Sequence, residues 1–127
     1  MKLSKHFSKE EFDCNDGSEM PTNVLQNIED LVDELEIIRK FFNKSITINS
    51  GYRSESYNKS IGGASKSQHL LGNAADIVIE GVEPDIVADA IEGLNRIGVI
   101  KIGGLGRYDT FTHVDIREDE ARWDNRK

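Results

Sequence analysis

Apolar residues recur at spacings of three and four along residues 22–43, the periodicity of one buried helix face. The stripe comprises Val24, Leu25, Ile28, Leu31, Val32, Leu35, Ile38, Phe41 and Phe42. A second long helix is predicted from Pro84 to about Ile97, with Ile86, Val87, Ala90, Ile91 and Leu94 as its buried stripe. Shorter helices are predicted after two capping serines, Ser8 and Ser54.

Alternating or β-branched segments predict four short strands, at 46–49, 74–80, 99–102 and 110–116. The last two are joined by a glycine-rich connection, residues 103–106, and can pair antiparallel. The charged tail after Arg117 has little pattern apart from Trp123. Helices segregated from short strands predict a single α+β domain over residues 1–127, with helices packed against a small antiparallel sheet. A three-layer parallel sheet is the alternative, but only one convincing strand–helix–strand unit supports it.

Composition and charge restrict the classes of function. The net charge of −7 argues against nucleic acid as a partner, because phosphate contacts need clustered Lys and Arg. Cys14 is the only cysteine, so neither an internal disulfide nor a multi-cysteine zinc site is possible. The N-terminus has no signal-peptide pattern and the chain has no long apolar run, so we expect a protein that is synthesised in the cytoplasm and does not insert into membranes. We also expect a monomer.

Polar side chains interrupt two of the predicted strands. Asp76 lies within Ala-Ala-Asp-Ile-Val-Ile, and His113 and Asp115 lie within Phe-Thr-His-Val-Asp-Ile. A buried carboxylate costs several kcal/mol unless it is paired or metal-bound. With His69 in the preceding polar loop, Asp76 and His113 form a candidate three-ligand set of the kind that catalytic zinc sites use. Taken singly, each could instead be a surface histidine or a strand-end cap.

A longer motif surrounds these residues. The segment Ser67-x-His-x-x-Gly-x-Ala-x-Asp76 resembles, at every fixed position, the motif of the zinc D-Ala-D-Ala carboxypeptidase and L-alanyl-D-glutamate endopeptidase family, the M15 peptidases. The fold of that family is shared with hedgehog signalling domains. Residues 50–54 resemble its arginine-bearing turn, and residues 111–115 resemble its distal histidine strand. The likeness covers roughly residues 46–123.

The resemblance implies a peptidase that cleaves peptidoglycan stem peptides and holds one Zn²⁺ per chain through His69, Asp76 and His113. It also implies that Arg53 binds a substrate carboxylate or carbonyl, and that Ser67 either binds the peptide or orients His69. Such an enzyme would act at the cell wall, as a phage endolysin or virion component or as a bacterial wall-remodelling enzyme. A catalytically silent zinc-binding structural or wall-recognition module of the same fold is the alternative.

The general base is where the sequence departs from the family pattern. Many members place an acidic residue three positions before the distal histidine, but Thr110 stands there. Asp115 shares a strand face with His113 by two-residue alternation and is favoured, either as the base or as a partner of the ligand. Asp109 is the second candidate, and it needs a loop or bulge to approach the metal.

Overall fold

The computed structural model describes residues 1–127. Its elements are the helices α1 (Thr22–Phe42), α2 (Glu55–Ser60) and α3 (Pro84–Arg96), the 3₁₀ turns Lys9–Phe12 and Gln68–Leu71, and the strands β1 (Ile46–Ser50), β2 (Ala74–Ile79), β3 (Gly104–Arg107), β4 (Thr112–Asp115) and β5 (Ala121–Asp124). None of the helices combines the length and apolar character that crossing a membrane requires.

Most residues of the predicted helical stripes are buried, and each long helix has one predicted residue that is exposed. Six of the nine predicted residues of α1 are buried: Val24, Ile28, Leu31, Val32, Leu35 and Ile38. Phe41, in the last turn of α1, is 57% exposed and packs edge-on against Phe42. Ile86, in the first turn of α3, is 54% exposed, and Ala88 takes the buried position instead.

The strands form one sheet in the order β1-β2-β4-β3-β5. Three pairings are antiparallel and the pairing of β3 with β5 is parallel. The α+β prediction is confirmed, with a sheet that is mixed rather than wholly antiparallel. The prediction of a strand at 99–102 was wrong: Ile100 and Ile102 are buried in an irregular connection, and the glycine-rich segment after it forms β3. The tail, which showed little pattern, supplies β5.

The two faces of the sheet differ in polarity. Alternate residues of the central strands, Ala75, Ile77 and Val114, join a cluster of 23 buried residues that includes the stripes of α1 and α3. Asp76 and His113 are their neighbours along β2 and β4 and therefore point to the opposite face. The strand pattern thus separates a hydrophobic core from a polar face.

Candidate active site

One row of paired positions runs across the polar face of all five strands. Ser50 pairs with Asp76, Asp76 with His113, His113 with Gly106, and Gly106 with Trp123. Paired residues of neighbouring strands project their side chains to the same side of a sheet. The register therefore brings two predicted metal ligands side by side and adds Trp123 to the same row.

The three predicted metal ligands converge at this row. Each of His69, Asp76 and His113 offers a ligand atom, these atoms lie within 4.8 Å of one another, and all three residues are buried. One carboxylate oxygen of Asp76, Oδ1, lies 3.3 Å from Nε2 of His69 and 3.0 Å from Nδ1 of His113. Two imidazole nitrogens and a carboxylate are a donor set typical of zinc.

His69 supplies a direct test of whether this set fits a metal. Its Nδ1 lies 2.8 Å from the carbonyl oxygen of Gly51, so that nitrogen carries the hydrogen and donates it. Its Nε2 is then left with a lone pair, and it is a buried side-chain nitrogen with no hydrogen-bond partner in the protein. Buried polar atoms are normally satisfied, and a metal ion would satisfy this one. The residues present therefore fit Zn²⁺.

The loop that carries His69 is shaped by its motif residues. The hydroxyl of Ser67 accepts a hydrogen bond from the backbone N–H of His69 and so caps the 3₁₀ turn Gln68–Leu71. Gly72 ends the turn in the left-handed region, at φ 78°, where a Cβ would also lie 2.6 Å from a methyl carbon of Val24. Serine and glycine thus fix the backbone that presents the first imidazole.

Asp115 lies on the far side of His113 from Asp76. Its carboxylate is fully buried, with Oδ2 2.7 Å from Nε2 of His113 and also bound to the guanidinium of Arg117. Its Oδ1 accepts the backbone N–H of Gly104 at 2.9 Å. A Cβ on Gly104 would lie 2.1 Å from the Asp115 carboxylate, so only glycine leaves room for it. The ring of His113 is clamped between two carboxylates.

The two carboxylates and the imidazole shift each other's ionisation. Burial alone would raise the pKa of Asp76, but the hydrogen bond from His113 and the electrostatic effect of both neighbouring imidazoles outweigh it and hold that pKa below its usual range. The pKa of Asp115 is lowered in the same way, against burial, by His113 and Arg117. For His113, burial works against the charged form, but Asp115 and Asp76 raise its pKa overall. A cation is favoured at this position, whether it is a proton or a metal.

Arg53 lies at the β1 end of the row. Its Nη2 donates to Oδ2 of Asp76 at 3.2 Å, its Nε to the hydroxyl of Ser50 at 3.1 Å, and its Nη1 to the amide oxygen of Asn58 at 3.3 Å. Asn58, which was not among the predicted site residues, is buried and donates in turn to the carbonyl of Ala64. Three hydrogen bonds therefore hold the guanidinium beside the predicted metal ligands.

A groove of about 660 Å³ opens over these residues. Arg53, Ser67, His69, Asp76 and His113 all line it. Three aromatic residues that the sequence did not assign to the site, Tyr108, Phe111 and Trp123, line it as well. The one feature of the sequence that could have indicated such a residue was the apolar side chain of Trp123 inside the charged segment Ala-Arg-Trp-Asp.

The structure does not bring Asp109 to the ligands. Its side chain is exposed and accepts a hydrogen bond from the backbone N–H of Lys127. It borders a neighbouring cavity rather than the groove, and Tyr108 lines both. Of the two candidate bases, Asp115 alone contacts a predicted ligand.

Known proteins resemble this chain in sequence and in fold. The zinc D-Ala-D-Ala carboxypeptidase of Streptomyces albus G is 51% identical over 80 residues, which are 63% of this chain and 30% of that protein. The chain thus spans less than a third of that relative. The crystal structure of the Serratia marcescens L-Ala D-Glu endopeptidase ChiX has the same fold, with a TM-score of 0.50 at 17% identity over 77% of this chain and 89% of that one.

The family itself is established by a match that covers most of the chain. The sequence profile of the family described as Peptidase M15 matches residues 5–115, a range that includes the motif around His69 and the distal His113. The resemblance to the M15 peptidases is confirmed. This chain belongs to the peptidase M15 family.

Proposed function

We propose that this protein is a zinc-dependent peptidase that cleaves peptidoglycan stem peptides, as a D-Ala-D-Ala carboxypeptidase or an L-Ala-D-Glu endopeptidase. The observation that carries the proposal is the convergence of His69, Asp76 and His113 beneath an open groove, with Nε2 of His69 buried and unpartnered. The named activities of the Streptomyces and Serratia proteins support the substrate class.

In this proposal Nε2 of His69, a carboxylate oxygen of Asp76 and Nδ1 of His113 hold one zinc ion per chain. Zinc, when bound, supplies a Lewis acid and lowers the pKa of a coordinated water to about 7. His113 must give up its Nδ1 hydrogen to bind a metal, so zinc binding is expected to release a proton. Its Nε2–H continues to donate to Asp115, which fixes the ring and the tautomer.

We assign Arg53 to the substrate. A guanidinium carries five N–H donors, and Ser50, Asn58 and Asp76 take three of them. One N–H remains on each terminal nitrogen, which is the fork that binds a carboxylate or a carbonyl oxygen. Ser67 is assigned to the same peptide, because its oxygen accepts from His69 and its own O–H is left to donate into the groove.

Asp115 has two proposed roles that differ in what its removal would do. Its contacts favour a positioning role, in which it orients His113 from behind, over direct proton transfer. Asp109 would have to leave the backbone of Lys127 before it could accept a proton in the groove. We propose further that the protein acts as a monomer on the cell wall, after release or from a virion.

The deciding experiment is incubation of the zinc-loaded protein with purified muropeptides, followed by mass spectrometry of the fragments. Release of D-Ala identifies the carboxypeptidase, and cleavage between L-Ala and D-Glu identifies the endopeptidase. The His69→Ala variant is the matched control and should yield neither product. A protein that binds one zinc and cleaves neither bond would refute the proposal in favour of a silent zinc module.

A further inference from the structure

The groove has two ends of different chemistry. At the β1 end, Arg53 presents charge. At the β5 end, Tyr108, Phe111 and Trp123 form a surface that we call the aromatic wall. The predicted metal ligands lie between them, because the strand row runs from Ser50 on β1 to Trp123 on β5.

The aromatic wall is held in one arrangement. The ring of Tyr108 stacks on that of Phe111, with centroids 4.3 Å apart and planes 12° apart. The indole of Trp123 lies over Gly106, where a Cβ would come within 2.4 Å of it, and its ring centroid is 4.9 Å from that of His113. The guanidinium carbon of Arg117, which also lines the groove, lies over the indole at 5.4 Å from the ring centroid.

One hydrogen bond within the aromatic wall determines whether the Tyr108 hydroxyl is a donor or an acceptor toward other groups. Nε1 of Trp123 lies 2.8 Å from the phenolic oxygen of Tyr108. An indole N–H can only donate, so the phenolic oxygen accepts and its own hydrogen must point elsewhere. No protein atom accepts that hydrogen. Tyr108 lines both the groove and the neighbouring cavity, but Trp123, which binds the phenolic oxygen, lines only the groove. The groove therefore has beside it an O–H donor that the protein itself does not use.

We propose that Tyr108 is a substrate-binding residue whose hydroxyl donates a hydrogen bond to a backbone carbonyl oxygen of the bound stem peptide. Trp123 is the positioning residue that orients the hydroxyl. We assign a neutral carbonyl as the acceptor because Tyr108 is a neutral donor, whereas a carboxylate would be bound better by the cations that line the groove, Arg53, Lys66 and Arg117. The peptide then spans the metal ligands from Arg53 to Tyr108. This inference rests on the proposed peptidase function.

Tyr108→Phe tests the hydroxyl alone, because phenylalanine keeps the stacking on Phe111. We expect KM for the muropeptide cleaved by the parent protein to rise about 2- to 12-fold, which is the loss of binding expected when one hydrogen bond is removed. The change in kcat should be less than about twofold. Tyr57→Phe, which removes a hydroxyl outside the groove, is the matched control and should change neither. Trp123 is the only tryptophan of the chain, so its fluorescence provides a separate titration of product peptide in both variants.

A double-mutant cycle tests the positioning role. Trp123→Phe should raise KM in the parent but change it less than about twofold when Tyr108 is already phenylalanine. A Tyr108→Phe variant that binds and cleaves as Tyr57→Phe does would overturn the inference and leave the peptidase proposal standing. Equal effects of Trp123→Phe in both backgrounds would overturn the orientation by Trp123. A parent protein that cleaves no muropeptide would instead refute the proposed function.

Discussion

Replacing Asp115 with asparagine removes one charge and one acceptor oxygen while it keeps the shape of the side chain. The amide oxygen can take the place of Oδ1 and still accept the backbone N–H of Gly104. The amide nitrogen then faces two donors, Nε2–H of His113 and Nη2 of Arg117. To avoid this conflict, His113 must give up its Nε2 hydrogen and keep the one on Nδ1, which is the nitrogen that we assign to the metal.

The loss of stability in Asp115→Asn follows from the burial of this side chain and from the hydrogen bonds to His113 and Arg117 that are lost. The carboxylate of Asp115 is fully buried, and a hydrogen bond to a charged group contributes about 1.5–3 kcal/mol. The loss at Arg117 is smaller, since its side chain is 29% exposed and water can replace the carboxylate. We expect a decrease of about 2–4 kcal/mol in the free energy of unfolding, hence roughly 6 to 20 °C in Tm for a domain of this size. Zinc affinity should fall about 10- to 100-fold, as is usual when a histidine ligand loses its outer carboxylate.

Two measurements check this, thermal unfolding of the metal-free protein and competition for zinc against a chelating dye. Asp109→Asn is the matched control, because it makes the same chemical change at an exposed carboxylate that binds only a backbone N–H. We expect it to shift stability by less than about 0.5 kcal/mol. If Asp115→Asn keeps the zinc affinity and Tm of that control, the positioning role is refuted. If it then still loses turnover, Asp115 is the proton acceptor.

Three further predictions concern other parts of the site. His113→Ala should abolish muropeptide cleavage and lower zinc content in elemental analysis, while circular dichroism stays close to that of the parent; full zinc occupancy would disprove the ligand assignment. Arg53→Lys should weaken turnover with zinc content unchanged, because lysine lacks the planar fork, and unaltered kinetics would reduce Arg53 to a structural residue. Gly106→Ala should displace the indole of Trp123, which its Cβ would approach to 2.4 Å, and lower stability by about 1–3 kcal/mol; an unchanged Tm would contradict that packing.

The parts of this molecule that could be predicted are those with a repeated local pattern. The stripe of α1 is long enough for periodicity to define it, and the motif from Ser67 to Asp76 predicted two of the three clustered residues without any knowledge of the sheet. The third residue of the cluster, His113, was predicted from the polar interruption of its strand and from the resemblance there. These are features that a few residues encode among themselves.

What could not be predicted depends on contacts between distant residues. Glycine disfavours strands by propensity, yet Gly104 lies in β3 because the Asp115 carboxylate occupies the space of its missing side chain. The strand β5 is four residues long and pairs in parallel with β3, which local pattern does not indicate. The aromatic wall was missed for the same reason, since Tyr108 and Trp123 meet only once both strands are in place.

The position of each strand within the sheet sets how the site opens. Asp76 and His113 lie on the two strands β2 and β4, each of which has a neighbour on both sides, whereas Trp123 lies on the edge strand β5. Local opening costs least where few contacts must break, so edge strands fray before interior ones. Fraying of β5 would therefore release the indole of Trp123 from the groove while Asp76 and His113 stay together. The order of strands places the predicted metal ligands of the sheet on interior strands and leaves the indole on an edge strand that can open on its own.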